Sequence, residues 1–186
     1  MNKNQIEKYT ETEIQNGKTQ QEIFNKIVST SDFNIHDVAN VVRQIPTLEK
    51  RKKYNSINSV LVGLLALAII SRLITGLIEI TQGHNDTSVI AMFFPLATIL
   101  PLFGVYKYKR NAHLATGLFM IFGAVMATVR LISNFDIIAL GDILLTVFGS
   151  VLAFYLSFKL AGDYILDKEL QKTNPDQREN VLTFTE

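Results

Sequence analysis

Four apolar runs follow one another along this chain, and they set what it can fold into. They cover about residues 57–80, 88–107, 112–132 and 137–159. Each comes close to the ~20 residues a helix needs to cross ~30 Å of hydrocarbon. Leu, Ile, Val, Ala, Phe and Gly dominate them, and charges are few. A water-soluble helical core does not call for four such runs in succession. The expected fold class is therefore all-α, a polytopic membrane protein built as a four-transmembrane-helix bundle.

The Lys and Arg residues give the threading. "EKRKKY" at Glu49–Tyr54 precedes the first run, and "YKYKRN" at Tyr106–Asn111 joins the second to the third. Lys159 and Lys168 follow the fourth. The two other connections, "TQGHNDT" at Thr81–Thr87 and "SNFD" at Ser133–Asp136, hold no Lys or Arg. Positive charge stays on the cytoplasmic side of a membrane. Both termini are accordingly expected in the cytoplasm, with the chain multi-pass in the cell (inner) membrane and the lipid bilayer as its first partner. "MNKNQIEKYTETEIQ" has no apolar stretch of the kind a secretory signal carries, so the N-terminal segment is expected to remain on that side.

Three regions follow from this pattern: a cytoplasmic helical region at 1–53, the membrane domain at 54–159, and a C-terminal helix and tail at 160–186. In the first, Thr19-Gln-Gln-Glu22 reads as a capping box. Ile23, Phe24, Ile27 and Val28 then form an apolar stripe at helical spacing. Asn34 is placed to cap a second helix striped by Ile35, Val38, Val41, Val42 and Ile45, which Pro46 ends. Thr47 is placed to cap a third helix that runs into the first span without a break. A further helix around Gln5–Gln15 stops at Asn16-Gly17. Two short helices bury little apolar surface alone. Their stripes need each other, the third helix, another copy or a partner. Ile23, Phe24, Ile27, Val38, Val41 and Val42 are therefore the candidate partner surface. The last span is expected to continue as helix to about Lys172, with Tyr164, Ile165 and Leu170 leaning on the N-terminal helices and the final ten residues frayed.

Two short helices in tandem also suggest a DNA-binding helix-turn-helix. Charge argues against it. Met1–Glu49 holds seven Asp/Glu against five Lys/Arg, so the basic stripe that phosphate contact needs is missing. No nucleic-acid partner is expected.

Two arginines call for a separate explanation. "SRLIT" at Ser71–Thr75 and "VRLIS" at Val129–Ser133 repeat with an offset of 58 residues. Each arginine lies toward the outer end of an odd-numbered span, which suggests two tandem helical hairpins. A lone arginine at membrane depth costs ~2.5–3.5 kcal/mol or more, so it needs a partner or a route to water. Counted at ~1.5 Å per residue, Arg72 lies roughly 18 Å from the inner boundary, and Asp142 roughly 8 Å below the outer one. Arg72, Glu79, Arg130, Asp136 and Asp142 therefore form a candidate charge cluster in the outer half of the bundle. Facing stripes are expected at Thr116, Met120, Gly123, Ala127, Arg130 and Asn134 on the third span. The fourth offers Asp142, Thr146, Gly149, Ala153 and Ser157, and the first Ala68, Arg72, Thr75 and Glu79. Small residues in such stripes let helices approach closely.

Catalytic patterns are missing. With no cysteine there is no thiolate nucleophile and no cysteine metal site. The sequence holds no HExxH, no GxSxG and no phosphate-binding glycine-lysine loop. His36, His84 and His113 are scattered over different regions. "ALGD" at Ala139–Asp142 offers one intramembrane carboxylate, whereas an aspartyl mechanism needs two sharing a site. No cofactor or metal is expected. The sequence reads as a non-enzymatic membrane subunit of scaffold, sensor, effector or immunity type. It would work through its cytoplasmic helices, by binding a partner or another copy. The alternative is a small channel or transporter with an outward cavity lined by Arg72, Arg130 and Asp142.

Overall fold

The computed structural model describes residues 2–30, 33–81, 98–134, 137–166 and 182–185. They form α1 (Lys3–Gln15), α2 (Gln20–Thr30), α3 (Ile35–Val42), α4 (Leu48–Thr81), the helical residues 98–106 (α5), α6 (Arg110–Asn134) and α7 (Ile137–Leu160). Two strands, β1 (Asp163–Leu166) and β2 (Leu182–Thr185), complete the set. The fold is predominantly helical. Parts of α4 (Leu48–Ser71), α6 (Arg110–Val129) and α7 (Leu140–Leu160) are long and apolar enough to cross a membrane. The second apolar run lies largely outside the described residues.

The chain divides into two units. One joins Met1–Lys53 to Lys159–Glu186, and the other is Tyr54–Phe158.

In the first unit, local chemistry sets the helix starts. Asn2 and Gln5 cap α1 reciprocally: the Gln5 N–H donates to Asn2 Oδ1 at 2.9 Å, and the Asn2 N–H to Gln5 Oε1 at 2.7 Å. The expected box opens α2, with the Thr19 N–H donating to Glu22 Oε2 and the Glu22 N–H to Thr19 Oγ1. Asn34 caps α3 by accepting from the His36 N–H. Between α1 and α2 the chain reverses at Gly17, whose φ of 85° suits a residue without a Cβ. α4 then runs unbroken for 34 residues, as expected from Thr47 onward.

The C-terminal segment departs from expectation. α7 ends at Leu160, not near Lys172, and the fold is not purely helical. Gly162 explains the stop. Its N–H donates to the Arg43 carbonyl at 3.0 Å, and a Cβ there would meet Gln20 Oε1 at 2.5 Å. The chain leaves Gly162 as β1, which pairs antiparallel with β2 in the register Tyr164 to Phe184 and Ile165 to Thr183. Leu182 and Phe184 enter the core of α1–α3 beside Ile6, Ile14, Phe24 and Val42. The final residues are therefore not all frayed. Tyr164 packs on this core as expected, whereas Ile165 is 65% exposed.

In the second unit, α4 turns Asn58, Leu61, Leu65 and Ile69 inward. α6 buries His113, Thr116, Met120, Gly123 and Ala127, and α7 buries Thr146, Gly149, Ser150, Ala153 and Ser157. The expected stripes on the third and fourth spans match these wherever their side chains are described, except that Asp142 is only half-buried. On α4 the inward stripe is more apolar than expected, and Ala68 is only half-buried. The opposite faces expose large apolar side chains, including Leu67, Ile70, Phe122, Val125, Leu144 and Val151.

Candidate functional site

A polar cluster and a cavity stand out inside the Tyr54–Phe158 unit. The first joins α4 to the turn between α5 and α6. Tyr108 adopts φ 58°, and the Lys109 N–H donates to the Gly104 carbonyl at 2.8 Å, which turns the chain tightly. Tyr108 Oη donates to Asn55 Oδ1 of α4 at 2.6 Å. One turn further along α4, Asn58 Nδ2 donates to the Val105 carbonyl at 3.2 Å. That bond fixes the amide so that Oδ1 faces His113 Nε2 at 2.8 Å, while Nδ1 lies 2.9 Å from the Lys109 carbonyl. Asn58 is 3% exposed and His113 fully buried. Both atoms facing the ring are acceptors, so a neutral imidazole donates to one of them; with its proton on Nε2 it satisfies the buried Asn58 oxygen, in a setting where an unpaired polar group is costly.

The second arrangement is a cavity of about 40 Å³ further along the bundle. All four helices line it, with Leu65 and Ile69 from α4, Thr98 and Pro101 from α5, Thr116 and Met120 from α6 and Thr146 from α7. α6 and α7 approach closely beside it. A Cβ on Gly117 would come within 2.9 Å of the Phe154 ring, and one on Gly149 would strike the Met120 thioether.

Of the expected charge cluster, the side chain of Asp142 alone is described. It is half-buried on α7, one turn from Thr146, whose hydroxyl donates to the Asp142 carbonyl at 2.6 Å. The side chains of Arg72, Glu79 and Arg130, and the whole of Asp136, lie outside the described residues. His84 lies outside them too, and His36 is exposed on α3. Among the described residues no group of three His, Cys, Asp or Glu is placed to hold a metal ion.

The expected partner surface is not presented. Ile23, Phe24, Ile27, Val38, Val41 and Val42 are each at most 6% exposed. The stripes need a third surface, as anticipated. α1 and β2 supply it from the same chain.

Sequence reasoning did not single out the Asn58–His113 pair. The available signal was a histidine four residues after Lys109 at the start of a span, with asparagines spaced three apart at the start of another. No family model, curated protein or solved structure matches this chain.

Proposed function

We propose that the chain is a non-enzymatic integral membrane subunit that crosses the inner membrane four times and holds both ends in the cytoplasm. One observation carries the topology: Leu182 and Phe184 are buried among α1–α3. The two ends of the chain thus belong to one folded body, and one such body lies on one side of a bilayer. A chain that leaves this body and returns to it crosses an even number of times. Three helices qualify as spans, so parity calls for a fourth crossing in the region of the second apolar run. The Lys/Arg-rich stretches at Glu49–Tyr54 and Tyr106–Asn111 favour the cytoplasmic side for the ends. The exposed apolar faces of α4, α6 and α7 suit lipid.

Association is the reading for its role, with another copy or a different protein as the partner. The apolar stripes of α2 and α3 are internal, so contact would use the outer faces of the domain that the two ends build. The cavity lined by Thr98, Thr116 and Thr146 favours a second reading, a small channel or transporter. In that reading Arg72, Arg130 and Asp142 line an outward vestibule.

Cysteine labelling tests the topology, since the native chain has no cysteine. Cysteines at Asn85 and Asn134 react with an impermeant thiol reagent in intact cells, and those at Asn16 and Asn174 do not. Labelling at Asn16 from outside overturns the reading. Size measurement in mild detergent then separates the two roles. A single subunit with a co-purifying soluble protein supports association, and a symmetric ring supports a pore.

A further inference from the structure

We infer that the outward face of α5 and the turn after it bind an anionic phospholipid, its acyl chain along Leu100 and Phe103 and its phosphate beside Lys107, in the positive field of Lys109 and Arg110. Such a site rests on the membrane reading above and adds a preferred lipid to it. Leu100, Phe103 and Tyr106 recur every three residues on α5 and are 78%, 61% and 67% exposed. That spacing makes them one track on the helix surface, about 9 Å long at ~1.5 Å per residue. The track is graded. It begins with an aliphatic side chain, passes a phenyl ring and ends on a phenol, which suits a membrane–water boundary. Lys107 follows at once, then Lys109 and Arg110. The stretch of α6 long and apolar enough to cross a membrane begins at Arg110 itself, so the three cations stand at one edge of the hydrocarbon.

The turn fixes where these charges stand. The N–H groups of Lys107, Tyr108 and Lys109 donate to the carbonyls of Phe103, Val105 and Gly104 at 3.1, 2.9 and 2.8 Å, and the Tyr108 hydroxyl is tied to Asn55 of α4. Lys107 and Lys109 are exposed, and Arg110 is half-buried. Neither Lys107 nor Arg110 has an ion-pair partner among the described residues. Asp142 is the one carboxylate of this unit whose side chain is described, and it stands in the second turn of α7. The opposite end of α7 meets the start of α6, through Phe154 and Gly117. The anion that answers Lys107 therefore comes from outside the described chain. Chemistry selects it. A free phosphate meets the cations and leaves the apolar track bare. A peptide laid along that track would carry unmet backbone groups into hydrocarbon. A phospholipid covers track and cations together, and an anionic headgroup does so without bringing a cation of its own to the lysines.

The test uses the full chain in phosphatidylcholine nanodiscs. The chain has no tryptophan, so Phe103→Trp puts a single fluorophore on the track. A minority of the lipid is brominated near the headgroup end of its acyl chain, either as phosphatidylglycerol or as phosphatidylcholine. Brominated phosphatidylglycerol quenches the indole more strongly. Its relative affinity falls roughly fivefold with Lys107→Gln and again with Lys109→Gln, the equivalent of about 1 kcal/mol per cation near an anionic surface, while Lys107→Arg keeps it. Val125→Trp, on the exposed face of α6 about four turns from Arg110, is quenched equally by the two lipids. Equal quenching of Phe103→Trp by both lipids overturns the proposal and leaves the membrane reading standing. So does a preference that survives loss of both lysines, or one that is as strong at Val125. Quenching by neither lipid takes the α5 face out of the bilayer and sinks the membrane reading as well. Reversal by inorganic phosphate, where chloride at the same ionic strength has no effect, gives the cations to a free anion and overturns the lipid.

Discussion

The ring of Phe184, two residues from the end of the chain, lies 5.6 Å from that of Phe24 on α2, tilted by 63° in an edge-on contact. The Tyr164 ring lies 5.9 Å from that of Phe184, and the Arg43 guanidinium lies 5.5 Å from the Tyr164 ring centre. Two backbone-directed bonds set the register. The Phe184 N–H donates to Gln21 Oε1 at 2.9 Å, and Gln21 Nε2 donates to the Leu182 carbonyl at 3.0 Å. The last strand is thus a component of the N-terminal core rather than a tail lying on it.

Phe184→Ala removes a buried ring and leaves a cavity against Phe24, at a cost of about 3–5 kcal/mol. Chemical denaturation followed by a probe in the N-terminal unit should show that loss, with the membrane helices retained. A matching expectation holds for the isolated segment Met1–Arg43. It lacks Leu182 and Phe184 and should melt without a cooperative transition in circular dichroism. A sharp transition in that peptide would mean that α1–α3 need no strand.

Residues whose chemistry acts locally made much of this fold legible. Thr19 with Glu22, Asn34 and the Asn16-Gly17 pair mark helix ends through bonds within three or four residues, whereas α3 stops at Val42, four residues before the Pro46 expected to end it. The span faces of α6 and α7 were legible too, because small and hydroxyl residues recur at helical spacing. The end of α7 was not, because Gly162 stops the helix through partners more than a hundred residues away, at Arg43 and Gln20. A signal for β2 was nevertheless present. In "LTFT" at Leu182–Thr185 apolar and polar residues alternate, and Leu182 and Phe184 do point inward while Thr183 does not. The stripes of α2 and α3 announced a need for cover, and a stripe cannot say whether the cover comes from a partner or from its own chain.

A pH effect is expected at the end of α1. The ammonium of Lys18 hydrogen-bonds the Glu13 carboxylate and holds its pKa below the ordinary 4.5. A carboxyl with a depressed folded pKa adds stability above its unfolded value and loses it as pH falls through the folded one. Glu13→Gln should therefore unfold slightly earlier than the wild type at neutral pH, and the two should converge in acid. Added salt should narrow the neutral-pH gap, because the Lys18 side chain is 41% exposed to screening ions. A gap that persists well below the carboxylate range would assign the effect to helix propensity instead.

Gly117 tests how closely α6 and α7 must approach. With a Cβ at that position 2.9 Å from the Phe154 ring, Gly117→Val forces the helices apart or the ring out of place. Overpacking of this kind costs about 1–3 kcal/mol. Phe154→Leu in the same chain should recover part of the loss by vacating the space. If Gly117→Val alone leaves Tm in detergent unchanged, the α6–α7 contact is looser than the Gly117–Phe154 approach implies.

Asn58 and His113 make the sharpest case, because each satisfies the other out of reach of water. Asn58→Ala takes away the oxygen facing His113 Nε2 and also the donor to the Val105 carbonyl. Leaving such groups buried and unmet costs about 1–3 kcal/mol. His113→Leu strands the Asn58 amide oxygen and should cost a similar amount. The pair of changes Asn58→Leu with His113→Leu removes both polar groups and should be milder than the two single costs added together. Thermal unfolding of all four chains in one detergent gives the coupling directly. Simple additivity would mean that the two side chains do not depend on each other. The α5–α6 turn would then be held to α4 chiefly by the bond from Tyr108 to Asn55.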